Sequence, residues 1–293
     1  MVKRLYGLAI TALILVSTLA FSDDEIIVDL ILPVKNNTLN VLSKKIANNP
    51  YFTVNSYINT PPEDDAKGDI LIIVSEKLLP LLSDNRYKAK FALYVNSLEY
   101  LDKDIENTAA LFSDQPLFRQ VSLIEAIFNG KPIQLGIAYQ NKKYEKILDD
   151  LSNTFSSMKI NIREIDNVNI IRSINKIIQK NDVLLSTAEN NIYNSDTIRS
   201  ILLSSYRHQT LVIGPTEGFV NAGALGTVLS TSDQYTLDII KMVNQYITTK
   251  KLPPSQYPSN FSVKINYSVA ESLGLNIPSE EELRMLIPDG EIQ

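Results

Sequence analysis

The sequence predicts an α/β protein built on parallel β-sheets, and three observations carry that prediction. Short runs rich in Ile, Leu and Val alternate with amphipathic stretches at helical spacing along the chain. Several of the short runs, such as DILIIV at 69–74, are almost continuously apolar, as strands covered on both faces are. Polar turns separate each run from the next helical stretch, which is the cadence of βαβ units. Sheets of this kind bind ligands at the carboxyl ends of their strands, so function is sought in the loops that leave them.

Strands are predicted over 26–32, 52–58, 69–74, 90–95, 108–112, 133–138, 159–165, 182–185, 210–213, 224–229 and 261–265, each a β-branched or Leu-rich run bounded by polar residues. Helical spacing of apolar residues appears over 38–47, 117–128, 142–156, 168–179, 195–206, 234–248 and 269–273. There is no internal repeat, low-complexity tract or long charge block.

The first 22 residues have the three parts of a secretory signal peptide: Lys3 and Arg4, an apolar run over 8–16, and small residues at Thr18, Ala20 and Ser22. The apolar run is well short of the ~20 residues of a spanning helix, which argues against an uncleaved anchor. A periplasmic address is expected, with no cysteine for lipid attachment or a disulfide. The leader removes two of the 28 basic residues and none of the 33 acidic ones, taking the net charge from −5 to −7. Nucleic acid and anionic lipid are poor partners for such a chain. At 293 residues and 44% hydrophobic, it can bury a sizeable core as one large or two medium domains.

Three polar crossings punctuate the chain. The turn at 112–116 carries Pro116, the segment 229–233 is rich in Ser and Thr, and 251–258 holds Pro253, Pro254 and Pro258. Such crossings would let two lobes hinge about a cleft, and they equally suit surface loops of one continuous sheet. The stretch IGPTEGFVNAGALGTVLSTS at 213–232 runs from a strand end into a polar loop and then small residues, a ligand loop beside a crossing.

Three passages carry a resemblance: ALFSDQPLFRQVSLI at 110–124 followed by IQLGIAY at 133–139, the polar turn, aromatic and AGAL within 212–232, and LPPSQYPSNFSVKINYSVAESLGLNIP at 252–278. Together they resemble the ABC-transporter substrate-binding proteins of the tryptophan/tyrosine-binding-like type, nearest to stand-alone exported members. The resemblance is strong over about 108–280 and weak over 23–107. It implies a type I periplasmic-binding fold, two Rossmann-like lobes with parallel sheets joined by a three-segment hinge. The first lobe would comprise 23–112 plus 231–252 and the second 113–230 plus 258–293. It further implies a monomer that closes on a small molecule and presents the closed form to a membrane permease or, alternatively, to a sensor ectodomain.

Loops leaving the strands supply the candidate ligand contacts: Asn36 and Asn37 after the first strand, Ser75 after the third, and Asn96 after the fourth. On the second lobe they are Tyr139, then Thr187, Glu189 and Tyr193, then Thr216, Glu217 and Phe219. Hydroxyls, amides, an acid and aromatic faces are what a small-molecule site needs, although each residue alone also suits a helix cap or turn. Two departures from the family weigh against an amino-acid ligand. The second lobe reads LLSTAEN at 184–190, with Glu189 where an Asp is usual, and the first loop reads PVKNNT at 33–38 instead of a Ser/Thr/Gly-rich carboxylate cradle.

Signs of catalysis are sparse. His208 is the sole histidine and there is no cysteine, so zinc sites and Cys/His nucleophile pairs lack ligands. Neither GxSxG nor a phosphate-binding GxxxxGK[ST] occurs. The acids Glu63, Asp64 and Asp65 read as a solvated turn. The expectation is a binding protein without cofactor or metal, a two-lobed enzyme being a distant alternative.

Overall fold

The computed structural model describes residues 25–103 and 105–289, so the expected signal peptide lies outside the described residues. The chain begins β1 (Ile27–Leu32), α1 (Asn37–Ala47), β2 (Thr53–Ile58), β3 (Ile70–Val74), β4 (Ala89–Val95), α2 (Ser97–Leu101) and β5 (Thr108–Phe112). These strands form one parallel sheet in the order β2-β1-β3-β4-β5. It continues α3 (Leu117–Phe128), β6 (Ile133–Tyr139), α4 (Tyr144–Thr154), β7 (Met158–Glu164), α5 (Ile170–Ile178), β8 (Val183–Ser186), α6 (Ile198–His208), β9 (Leu211–Ile213), α7 (Glu217–Ala222) and β10 (Gly226–Leu229). After α8 (Ser232–Thr249) come β11 (Ser262–Ile265), α9 (Tyr267–Ser272) and α10 (Glu280–Leu286). The second sheet has the order β11-β10-β9-β8-β6-β7.

The chain therefore makes two Rossmann-like lobes, not one continuous sheet. Each sheet is covered on both faces. In the first lobe one core joins Leu30 and Phe91 to Leu42 of α1 and to Tyr235, Ile239, Met242 and Val243 of α8, and another gathers Ile31, Ile73 and Val95 on the opposite face. In the second, Leu135 and Ile137 pack against α3 and α4, while Leu184 and Val212 face α5 and α6. Although α8 lies between two second-sheet strands in sequence, its apolar stripe is buried on the first sheet. Burial of each such large side chain contributes about 2 kcal/mol. A capping box starts it, with Thr231 and Gln234 satisfying one another's backbone N–H groups.

Three segments cross between the lobes: β5 to α3, β10 to α8, and α8 to β11. The third also adds a short parallel bridge to β5, where Phe112 N–H donates to the Gln256 carbonyl at 3.0 Å and Gln256 N–H to that of Ala110 at 2.9 Å.

Two expectations need correction. β11 runs antiparallel to β10, so the second sheet is not wholly parallel. Several stretches read as loops begin short helices, a 3-10 turn over Glu76–Ser83, α2 after Asn96 and α7 after Thr216, and α10 follows Ser279 where no element was predicted. At five to eight residues each, they are too short to display the apolar repeat that reveals a helix. Among the described residues no helix is long and apolar enough to cross a membrane.

Candidate functional site

The carboxyl ends of the two sheets face one another across a cleft of about 600 Å³. Glu76, Asn96, Ser113 and Asp114 line it from the first lobe, and Tyr193, Asn194, Thr216 and Phe219 are among those lining it from the second. Two smaller cavities adjoin it through shared residues. One of about 140 Å³ lies among Ser97, Asp114, Tyr144 and Tyr257, and one of about 320 Å³ among Asn96, Glu99, Tyr144 and Glu189.

Asn96 is the residue common to both lobes' chemistry. Its Oδ1 accepts from the N–H groups of Leu98 (3.1 Å) and Glu99 (3.2 Å), capping α2, while its Nδ2 donates to the Ala188 carbonyl of the second lobe at 3.1 Å. Its own N–H donates to Glu76 Oε1 at 2.7 Å. Helix α2 thus leans across the interface, with Leu98 buried among second-lobe core residues and Asp102 in an ion pair with Lys143.

The first-lobe edge of the cleft is conformationally strained. Ser75 has φ 115° and Tyr94 φ 53°, and β4 is bulged against β5 between Leu93 and Val95. Such backbone is held only where surroundings enforce it, at roughly 1–3 kcal/mol per residue. Here Tyr235 does so: its ring stacks on Tyr94 at 4.1 Å, its hydroxyl accepts from Tyr94 N–H at 2.7 Å, and it donates to the Leu111 carbonyl.

On the second lobe Glu189 is 9% exposed and engaged within its own lobe. Its Oε1 accepts from the N–H groups of Gln140 (3.0 Å) and Asn141 (2.7 Å), and Oε2 accepts from the fully buried Thr187 hydroxyl at 2.8 Å. Those bonds fasten the loop after β6 to the loop after β8. The aromatic wall is Tyr193 with Phe219, ring centroids 6.4 Å apart at 69°. Gly214 makes room for it, since a Cβ there would lie 2.3 Å from Phe219 Cβ.

Of the residues singled out in the sequence, Asn96, Tyr193, Thr216 and Phe219 meet at the main cleft, and Glu189 lies in the adjoining cavity. Asn36, Asn37, Ser75, Tyr139, Thr187 and Glu217 line none of the three cavities. Asn36 caps α1, Ser75 caps the 3-10 turn, Tyr139 is buried in the second-lobe core, and Glu217 is exposed on the first turn of α7.

Sequence reasoning missed Glu99, Tyr144 and Tyr257 as lining residues, and took Asp114 only as part of a crossing. Asp114 accepts from Ser97 N–H (2.9 Å) and Ser97 Oγ (2.6 Å), and Tyr257 adds a contact to Ser97 Oγ at 3.0 Å. Loss of water pushes the Asp114 carboxyl up despite those donors, and the nearby Glu76 charge adds to it. Glu99 is likewise raised, first by burial and then by the charge of Glu76.

The crossings are tied together by Arg119, a 2% exposed residue on α3. Its Nη1 donates to Gln115 Oε1 and the Pro258 carbonyl, both at 2.8 Å, its Nη2 donates to the Asp289 carbonyl at 3.1 Å, and its guanidinium lies 4.3 Å from the Phe261 ring centre. Gln115 in turn donates to Ser230 Oγ at 2.8 Å, so all three segments share one network.

The sequence matches no family model. Comparison with curated proteins gives no match either. Solved structures do match. The ligand-free, open structure of a substrate binding protein with adhesive properties from Clostridium difficile aligns with TM-score 0.67 at 14% identity, covering 87% of this chain and 97% of that one. An ABC domain in complex with L-Trp from Streptococcus pneumonia aligns with TM-score 0.58 at 14% identity over 90% and 98% of the two chains. A conserved domain protein from Vibrio cholerae aligns with TM-score 0.57 at 17% identity over 89% and 97%. At such identities the likeness is one of fold, and the chain has the two-lobed, periplasmic-binding-protein-like architecture.

Proposed function

We propose that this chain is an exported solute-binding protein of the ABC-transporter substrate-binding kind, which captures a small molecule between its lobes and presents the closed form to a membrane permease. The observation that carries this reading is the cleft itself. Some 600 Å³ of space lies at the carboxyl edges of two sheets whose lobes are joined by three crossings. The lobes of the proposal are residues 23–112 plus 231–252 and 113–230 plus 258–293, working as a monomer in the periplasm once a leader over 1–22 is removed.

Lobe closure is selected when a ligand touches both sides, because contacts made only in the closed state shift the population toward it. Asn96, Glu76 and Asp114 offer the first-lobe contacts, and Tyr193, Thr216 and Phe219 those of the second. Two of the structural neighbours support the reading by what they are, one a substrate binding protein and one an L-Trp complex. The role is binding and not turnover.

A thermal-shift screen of the purified protein against amino acids, amines, nucleosides, sugars and organic acids tests it. A ligand at 100 times its dissociation constant stabilises by about 2.7 kcal/mol, an evident rise in melting temperature. The shift is expected to vanish in Phe219→Ala. A screen without any stabilising compound, or measurable turnover of a hit, would contradict the proposal.

A further inference from the structure

We infer that the interlobe cleft selects a small organic cation, a protonated or quaternary amine with an apolar body, over zwitterions and anions. The inference rests on the solute-binding reading above and assigns its ligand class.

The charge of the lining is one-sided. Glu76 and Asp114 line the main cleft, Glu99 and Glu189 the cavity continuous with it, and among the described residues no Lys, Arg or His lines any of the three spaces. Of the nearby cations, Lys143 is paired with Asp102 and Lys103 lies beside Glu99. Glu189 has its charge spread over three donors of its own lobe and Asp114 accepts twice from Ser97, which leaves Glu76, with one backbone donor, as the acid facing the open volume most freely.

Those acids are already crowded. Glu76 and Glu99 lie close enough that the charge of Glu76 adds to burial in pushing the Glu99 carboxyl up. A bound cation would relieve that repulsion. Tyr144, buried against the same volume, reports the same field: its phenol is pushed well up by burial and then by the charges of Asp114 and Glu189.

The opposite wall suits the ligand's body. Tyr193 and Phe219 form an edge-to-face pair lining the cleft, and aromatic faces attract cations as well as apolar groups. A carboxylate placed there finds hydroxyls such as Thr216 but no basic side chain, and it meets Glu76 and Asp114 across the cleft. The ligand's negative charge is therefore penalised while its positive charge is favoured, which is how such a site rejects a zwitterion of the same shape.

Probe sets that share a body and differ in charge test this by isothermal titration calorimetry: tryptamine, L-tryptophan and indole-3-acetate; phenethylamine, L-phenylalanine and phenylacetate; choline and glycine betaine. At least one cation is expected to bind tenfold or more tightly than its zwitterionic and anionic counterparts. Glu76→Gln and Asp114→Asn, each checked for an intact melting transition, should weaken it tenfold or more, and Glu99→Gln provides a third, independent acid.

Tighter binding of a zwitterion or an anion would overturn the cation assignment while leaving the solute-binding reading standing. So would cation binding that survives all three substitutions. Silence from every cation in the sets overturns it as well, and silence across the wider screen removes the solute-binding reading too.

Discussion

Asp114 links the turn between the lobes to the charge of the cleft. Its carboxyl is held above the ordinary value of 3.8 because burial outweighs the two donors of Ser97, with Glu76 adding its charge. The folded protein therefore binds this proton more tightly than the unfolded chain does. The resulting stability is complete below the unfolded value and is lost as pH rises through the folded one. Asp114→Asn, which leaves Ser97, Glu76, Tyr144 and Tyr257 in place around the site, should be less destabilised by raising the pH than the natural protein. Urea unfolding at pH 4.5 and 7.5 measures this, and equal pH dependence in the two proteins would contradict it. Glu99 titrates in both and cancels in the comparison. Individual contacts were the least legible feature of the sequence. Glu189 and Thr187 have the residue types of a ligand site, but an acid beside a hydroxyl in a loop serves equally well to fasten that loop. Only the backbone N–H groups of Gln140 and Asn141, brought from a distant strand end, show which use is made of them.

At the scale of elements, α7 sets the second-lobe wall of the cleft. It follows β9 so closely that Gly214 is in contact with Phe219, and a methyl group at 214 would collide with the base of that side chain. Gly214→Ala should cost about 1–3 kcal/mol by forced repacking and shift Phe219 from the wall. Gly218→Ala in the same helix provides the contrast, since its nearest neighbour would be Thr216 Oγ1 at 3.5 Å, and it should be neutral or stabilising by up to about 1 kcal/mol. Denaturant midpoints of the two variants check this, and similar losses in both would show that the close approach at Gly214 is unimportant. The strands were legible because runs such as ILIIV at 70–74 and VLLS at 183–186 are apolar enough to require cover on both faces. Short helices that start after Asn96, Thr216 and Ser279 were not, since one or two turns present too few residues for a periodicity. The antiparallel β11 was hidden for another reason. Strand direction depends on how the chain returns to the sheet, which the apolar pattern of the strand does not record.

For the whole molecule, the decisive property is that two separately cored lobes meet at their strand ends and are joined by three crossings under one buried arginine. The sequence marked all three crossings through their Pro and Ser/Thr content, yet it showed neither Arg119 as their common tie nor the acidic balance of the cleft, both of which arise from residues far apart in the chain. The bond from Asn96 to the Ala188 carbonyl, the burial of Leu98 in the second lobe's core and the Lys143–Asp102 pair are contacts that an opening of the lobes would have to break. Because the natural chain has no cysteine, a fluorophore pair can be placed without background through Lys35→Cys on the first lobe and Asp196→Cys on the second, both exposed. Energy transfer between them, titrated with a compound that stabilises the protein, is the most direct test of capture by lobe closure. The distance is expected to shorten with the same concentration dependence as binding, and to stay long when Phe219→Ala abolishes binding. Saturable binding with no change in that distance would contradict capture by lobe closure.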